Sequence, residues 1–248
     1  MPDLVDLHCH LLPGIDDGAQ TPDESGTLLS ASKKGGVSRF IFTPHFLPDH
    51  HNPGQFAAKR TEALAALSAL PEAAGIEYRL GAEIAFTPFF DRLPLEKLTL
   101  GNSRYFLLEL DTMYLRPGVD AAIEWAVSEG FTPILAHVER YAYAEQDPML
   151  LYRWVRAGAL VQMNAGFVLR GGASHKRFLQ YAGWGLVHFL ASDAHHIEWR
   201  PPNLAEGYAK IPNDLAARLQ ANAQAVFENK RIESPKPILP ERRWGKWR

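Results

Sequence analysis

A single cysteine, Cys9, stands among 248 residues, so neither an intramolecular disulfide nor a cysteine-built zinc finger can form. No apolar run is long enough to cross a bilayer, and Met1-Pro2-Asp3 opens no secretory signal. A cytoplasmic location with no membrane insertion is the expectation. A basic excess is missing as well: 26 Lys plus Arg face 28 Asp plus Glu, a formal net charge of -2, which argues against a general nucleic-acid binder. What the sequence does hold is histidine, ten of them. The remainder, 46% hydrophobic and 22% charged, is ordinary for a globular chain with a full core.

Short β-rich runs recur at 4–10, 39–45, 77–83, 104–110, 132–137, 160–164 and 186–193, each followed by a helical stretch. Thr21-Pro22-Asp23-Glu24 combines an N-cap, a proline suited to the first turn and a capping-box glutamate, and Gly35-Gly36 stops that helix. Gly130 closes a later one, Asp147-Pro148 and Gly158 bracket the next, and Asn213-Asp214 opens the last. Alternating strands and helices imply parallel pairing with right-handed crossovers. Seven such units fit one closed or nearly closed α/β barrel over residues 1–233, with an open doubly wound sheet as the alternative. The tail, 234–248, differs in character: three prolines, two tryptophans and five Lys or Arg point to a surface extension or a contact with a neighbouring subunit.

Polar residues gather where the runs end. His8 and His10 share a strand face that Cys9 does not, and Asp193 and His195 repeat this i, i+2 spacing. His45, Glu83, Glu109, His137 and Asn164 close other runs. In a parallel barrel all strand C-termini open on one face, so these groups would meet in a small volume. With Asp17 added, the set is four carboxylates and five imidazoles, enough for two or three divalent ions. Mixed imidazole and carboxylate ligands suit manganese, iron or zinc, and manganese is the expected metal. Such ions favour an anionic substrate, phosphate above all, and acidify a water for nucleophilic attack. Arg140 and Arg200 stand near the ligands and could grip phosphate oxygens. His50, His51, His175, His188 and His196 fall outside the pattern and read as structural or surface residues.

The segments Asp6-Leu7-His8-Cys9-His10 and Leu12-Pro13-Gly14-Ile15-Asp16-Asp17-Gly18 resemble the opening motif of the PHP (polymerase and histidinol phosphatase) superfamily. More narrowly the chain is similar to the CpsB/CapC branch of metal-dependent bacterial protein-tyrosine phosphatases tied to capsule and exopolysaccharide production. The likeness continues through Thr43-Pro44-His45, Gly81-Ala82-Glu83-Ile84, the segment Ala136-His137-Val138-Glu139-Arg140-Tyr141, Ala191-Ser192-Asp193-Ala194-His195 and Arg200-Pro201-Pro202, nearly the whole chain. It implies a distorted (β/α)7 barrel of the PHP type.

The resemblance also implies three metals. His8, His10, Glu83 and Asp193 would hold the first; Glu83, Glu109 and His137 the second; His45, His195 and Asp16 or Asp17, preferably Asp17, the third. Histidinol-phosphatase relatives carry histidine where this chain has Glu109 and the aspartate pair, which favours the tyrosine-phosphatase branch. The implied partner is a phosphotyrosine-bearing protein, a bacterial tyrosine-kinase tail, and a homo-oligomer is an option because relatives can form rings. Arg140 and Arg200 would neutralise the phosphoryl group, and Asp193 or a metal-held water would supply the leaving-group proton. Thiolate tyrosine phosphatases are excluded by spacing, because Ile15 stands six positions after Cys9 where their arginine would be. The rivals are a small-molecule phosphatase acting on histidinol phosphate or a nucleotide, an amidohydrolase-type barrel, and a metal-dependent binding protein. The amidohydrolase reading is weakened because no lysine ends any of the seven runs.

Overall fold

Parallel pairing runs through every strand of the barrel wall in the computed structural model, which describes residues 3–243, 246 and 247. Met1 and Pro2 lie outside the described residues, as do Trp244, Gly245 and Arg248 of the tail. The strands are β1 (Leu4–Cys9), β2 (Val37–Phe42), β3 (His45–Phe46), β4 (Glu77–Leu80), β5 (Glu83–Ala85), β6 (Tyr105–Glu109), β7 (Thr132–Leu135), β8 (Leu160–Asn164) and β9 (Phe189–Ala191). Helices α1 (Pro22–Lys34), α2 (Pro53–Ser68), α3 (Val119–Ser128), α4 (Ala142–Gln146), α5 (Met149–Arg156), α6 (Ala165–Leu169), α7 (Gly172–Gly183), α8 (Leu204–Tyr208) and α9 (Asn213–Phe227) lie between and after them.

Two of the expected runs are each split in two. Run 39–45 breaks at Pro44, which has no N–H to donate, and run 77–83 breaks at Gly81 beside it. The ladder nevertheless continues across the gap, because the Gly81 N–H donates to Phe42 O at 2.8 Å and the Glu83 N–H to Pro44 O at 3.1 Å. A β-carbon at Gly81 would lie 2.7 Å from Leu100 Cδ2 and 3.3 Å from side-chain carbons of Ile41 and Thr43, so glycine leaves room for these neighbours at the break. The sheets β1-β2-β4 and β3-β5-β6-β7-β8-β9 are therefore two arcs of one wall.

Closure comes where β9 returns to β1. The Asp193 N–H donates to His8 O and the His10 N–H to Ala194 O, both at 2.9 Å, and Cys9 bridges Ala194 in parallel. An open doubly wound sheet would leave these two edges apart. The wall is a seven-stranded α/β barrel, with β2 and β3 counted as one strand and β4 and β5 as another.

Inside it, Val5, Leu7, Ile41, Leu107, Ile134 and Phe189 form one buried apolar cluster with Val226 and Phe227 of α9. Leu107 shares a strand face with Glu109, so this cluster directly underlies the polar face. The register of β1 against β2 shifts between Asp6 and Cys9. That irregularity lets the neighbours Leu7 and His8 serve the apolar layer and the polar layer in turn, a common use of a bulge beside a site.

The helix punctuation works locally. Thr21 Oγ1 accepts the Glu24 N–H at 3.2 Å, while Glu24 Oε2 accepts from the Gln20 N–H at 2.6 Å, one residue earlier than in a standard capping box. Asn213 is the first residue of α9 and gives no side-chain cap. The described part of the tail lies back on its own chain: the Ile238 N–H donates to Trp184 O at 2.8 Å and Gln180 Nε2 to Trp247 O at 2.7 Å. Among the described residues no helix is long and apolar enough to cross a membrane.

Candidate metal centre

Glu83 sits at the middle of the polar cluster, fully buried. Its Oε2 lies 3.3 Å from both His8 Nε2 and His10 Nε2 and 3.1 Å from His45 Nδ1, and its Oε1 lies 2.8 Å from His137 Nε2. Glu109 Oε1 is 3.4 Å from His137 Nε2, and Asp193 Oδ1 is 3.5 Å from His8 Nε2. Asp17 Oδ1 lies 3.3 Å from His45 Nε2 and 3.4 Å from His195 Nε2.

The nine residues fall into four overlapping sets with ligand atoms within 4.8 Å of one another. These are His8, His10 and Asp193; His8, Glu83 and His137; His45, Glu83 and Glu109; and His10, Asp17, His45 and His195. The sets differ in detail from the expected partition: His10 also reaches the Asp17 group, and His45 also reaches Glu83 and Glu109. Of the aspartate pair, Asp17 faces the cluster. Asp16 is occupied behind it, with Oδ2 2.7 Å from His10 Nδ1 and accepting the His45 N–H at 3.0 Å.

Local backbone explains how these side chains meet. The Gly14 N–H donates to Ala19 O and the Ala19 N–H to His10 O, folding 11–20 back across the barrel mouth. A β-carbon on Gly18 would collide with the backbone and Cβ of His10, so glycine there permits the approach that brings Asp16 and Asp17 in. His137 and Asp193 lie just beyond their strands, with φ of 29° and 52°. Both take the left-handed region that side-chain-bearing residues rarely adopt, a local cost often met at functional sites. A short turn of 3-10 helix, Val138–Arg140, follows His137 and carries Arg140 inward.

Three imidazoles are oriented by acceptors on their outer nitrogen. His8 Nδ1 is 3.1 Å from Gln162 Oε1, His10 Nδ1 2.7 Å from Asp16 Oδ2, and His195 Nδ1 2.9 Å from the Asp193 carbonyl. An Nδ1–H in each case turns Nε2 inward, the arrangement that metal-binding histidines use. The Nε2 atoms of His8 and His10 are only 3.1 Å apart. Glu83 Oε2, Asp193 Oδ1, His45 Nδ1 and His137 Nδ1 are buried without a hydrogen-bond partner among the described residues. Orphaned carboxylate oxygens and an orphaned imidazole nitrogen within one buried cluster fit divalent cations.

Charge coupling is correspondingly strong. Burial pushes the Glu83 carboxyl up, but His8 and His137 outweigh it and hold it well below the carboxylate range. Burial also raises Asp193, and again His8 and His137 reverse the direction to a lowered value. Glu109 is pushed up, by burial and then by the charge of Glu83.

Both expected arginines converge on Asp193. Arg140 Nη2 donates to its Oδ2 at 2.8 Å, and Arg200 Nη1 lies 3.5 Å from its Oδ1 and 2.8 Å from His195 Nε2. They border a cavity of about 720 Å³ that is also lined by Asn164, Phe167, Arg170 and Trp199. Cys9 is buried and its thiol faces Ile41 O at 3.7 Å, away from the cluster. His188 is buried with Nδ1 accepting the Val161 N–H at 3.1 Å, and His50, His51, His175 and His196 belong to none of the four sets.

Three supporting residues escaped the sequence reading. Gln162 also accepts the His137 N–H at 2.7 Å and donates to Asn164 Oδ1 at 2.7 Å; Asn164 Nδ2 passes the chain on to Asp193 Oδ2 at 2.7 Å. Their i, i+2 spacing on β8 was the available signal. Glu139, half-buried beside Arg140, accepts the Asn164 N–H at 3.2 Å. Asp6 accepts from the Ser192 N–H at 3.1 Å and from its hydroxyl, fastening β1 to the end of β9.

The chain is similar to proteins of known name over almost all its length. The tyrosine-protein phosphatase CpsB of Streptococcus agalactiae is 28% identical over 245 residues, covering 91% of this chain and 99% of that protein. The tyrosine-protein phosphatase YwqE of Bacillus subtilis is 29% identical over 265 residues, covering 98% and 99%. A solved structure from work on YwqE of B. subtilis and CpsB of Streptococcus pneumoniae, described as unique metal-dependent tyrosine phosphatases, superposes with a TM-score of 0.86 at 26% identity. It covers 96% of this chain and 100% of that one. A dihydroorotase, at a TM-score of 0.54 and 14% identity over 94% of this chain and 70% of that one, shares the fold alone. The model of the family described as capsular polysaccharide synthesis, CpsB/CapC, matches residues 4–230, and the chain belongs to that family.

Proposed function

We propose that this protein is a metal-dependent phosphomonoester hydrolase that removes phosphate from tyrosine on a protein substrate. The partner we assign is a bacterial tyrosine kinase serving capsule or exopolysaccharide assembly, met in the cytoplasm. The observation that carries the reading is the inward convergence of five imidazoles and four carboxylates, several of them buried without partners, beside two arginines.

His8, His10, Asp17, His45, Glu83, Glu109, His137, Asp193 and His195 would hold two or three divalent ions, manganese being our first choice. Such ions neutralise phosphoryl charge and acidify a water for attack on phosphorus. Hydrolysis forms a bond from phosphorus to the water oxygen and breaks the bond from phosphorus to the tyrosine oxygen. Arg140 and Arg200 are positioned to bind the non-bridging oxygens, exchanging part of their contact with Asp193 for the substrate. Asp193 is held ionised by its histidine neighbours, which suits a ligand and an anchor for the arginines better than a proton donor. Phenolate is a tolerable leaving group, so late protonation suffices.

Metal analysis of the purified protein, combined with a phosphotyrosine-peptide assay before and after chelation, tests this. Activity should vanish on metal removal and return with manganese, and histidinol phosphate should be a far poorer substrate. Full activity in metal-free protein, or a preference for histidinol phosphate, overturns the proposal.

A further inference from the structure

A third arginine borders the cavity, and nothing in the chemistry above uses it. Arg170 stands at the C-terminal end of α6, exposed, with its guanidinium 6.0 Å above the ring of the buried Phe167. Arg140 and Arg200 are both engaged with Asp193, whereas Arg170 has no carboxylate within ion-pair distance among the described residues. The only carboxylate on the cavity wall is that of Glu139, whose Oε1 already accepts the Asn164 N–H. The wall thus carries three guanidinium groups, Arg140, Arg170 and Arg200, against that one carboxylate, and Arg170 is the one of the three that forms no ion pair among the described residues.

We infer that Arg170 is a specificity-determining residue that binds an acidic side chain of the substrate, close in sequence to the phosphotyrosine. This rests on the proposed phosphotyrosine activity and adds a sequence preference to it. A lone guanidinium offers one planar fork, which matches one carboxylate. The helix sets the distance. Asn164, hydrogen-bonded to Asp193, precedes α6, and Arg170 follows it, so six helical steps separate them by roughly 9 Å at ~1.5 Å each. An extended peptide advances about 3.3 Å per residue, which places the acidic residue two or three positions from the phosphotyrosine. The cavity, about 720 Å³, has room for the side chain in between.

Peptides carrying phosphotyrosine with Glu, Gln or Lys two or three residues to either side provide the test. The manganese-loaded enzyme should favour the Glu peptide over its Gln counterpart by about fivefold in kcat/KM, the size of an exposed ion pair, with the difference lying in KM. Arg170→Gln should bring that ratio to about one, Arg170→Lys should keep part of it, and Arg170→Glu should turn the preference toward the Lys peptide. A reversed preference cannot arise from misfolding. Equal hydrolysis of Glu and Gln peptides by the unaltered enzyme, or an undiminished preference in Arg170→Gln, overturns the inference and leaves the phosphatase reading standing. Failure to hydrolyse any of the peptides overturns both.

Discussion

Gln162 accepts the backbone N–H of His137 at 2.7 Å, and the same oxygen lies 3.1 Å from His8 Nδ1. One amide oxygen thus fixes two candidate ligands from different strands, in a peptide whose φ of 29° needs outside support. Gln162→Leu removes that acceptor while keeping a comparable volume. Metal affinity should fall about 10- to 100-fold, as expected when a supporting hydrogen bond to a ligand is lost. Metal titration followed by mass spectrometry reads this directly, and unchanged affinity would show that Gln162 is dispensable.

The adjacent aspartates should behave differently. Asp17 faces His45 and His195, whereas Asp16 is taken up by His10 and two backbone N–H groups. Asp17→Asn is expected to lose one ion from the stoichiometry. Asp16→Asn should keep the full number with weaker binding, because it disturbs the hydrogen bonds that orient His10 and the His45 backbone and removes no inward-facing ligand. If Asp16→Asn loses an ion and Asp17→Asn does not, their roles are reversed.

Arginine geometry can be separated from charge. Arg140→Lys keeps the cation but gives up the planar fork that now reaches Asp193 Oδ2 at 2.8 Å. A drop of about 100-fold in kcat/KM at unchanged metal content is expected, comparable to losing one transition-state donor. Cys9→Ser serves as the opposite control. The buried thiol points at Ile41 O, which can accept from a serine hydroxyl, so turnover should stay within about twofold of the unaltered enzyme. Complete loss of turnover there would reopen the question of a thiolate nucleophile.

His188 gives a pH-dependent stability that does not involve the candidate ligands. Burial, and then the charge of Arg218, lowers its pKa to about 3, while its Nδ1 accepts the Val161 N–H. The unfolded chain, with His188 near its ordinary value of about 6.5, binds more protons throughout that interval. The neutral-form contribution is therefore complete above about pH 6.5 and is lost as pH falls toward 3, on the order of 5 kcal/mol over the whole window. In chelated protein, denaturant unfolding of His188→Asn should vary less steeply between pH 6.5 and 4 than that of the parent chain. Identical slopes would remove His188 from the acid sensitivity.

Barrel architecture was legible because strand and helix periods alternate so regularly, and because side chains two apart must share a strand face. His8 with His10, and Leu107 with Glu109, follow from that rule alone. The breaks at Pro44 and Gly81 were less legible. The residues announce an interruption, but only the neighbouring strand shows that the ladder resumes across it. The tail shows the same limit: its composition marks it as different, while its seat on Trp184 and Gln180 depends on surfaces made by distant parts of the chain.

The sequence by itself determined which residue types would stand at the strand ends: one cysteine with no arginine at the thiolate-phosphatase spacing, and five histidines and four carboxylates beside the turns. Covalent order dictates that much, since strand parity and turn chemistry are local. Tertiary structure decided the pairing. That Asp17 rather than Asp16 faces His45 and His195, that Gln162 links His8 to His137, and that both arginines meet at Asp193 are consequences of barrel closure. Closure brings side chains more than 150 positions apart, such as His8 and Gln162, within hydrogen-bond distance. Such contacts are set by packing over the whole wall, which no local window of residues contains.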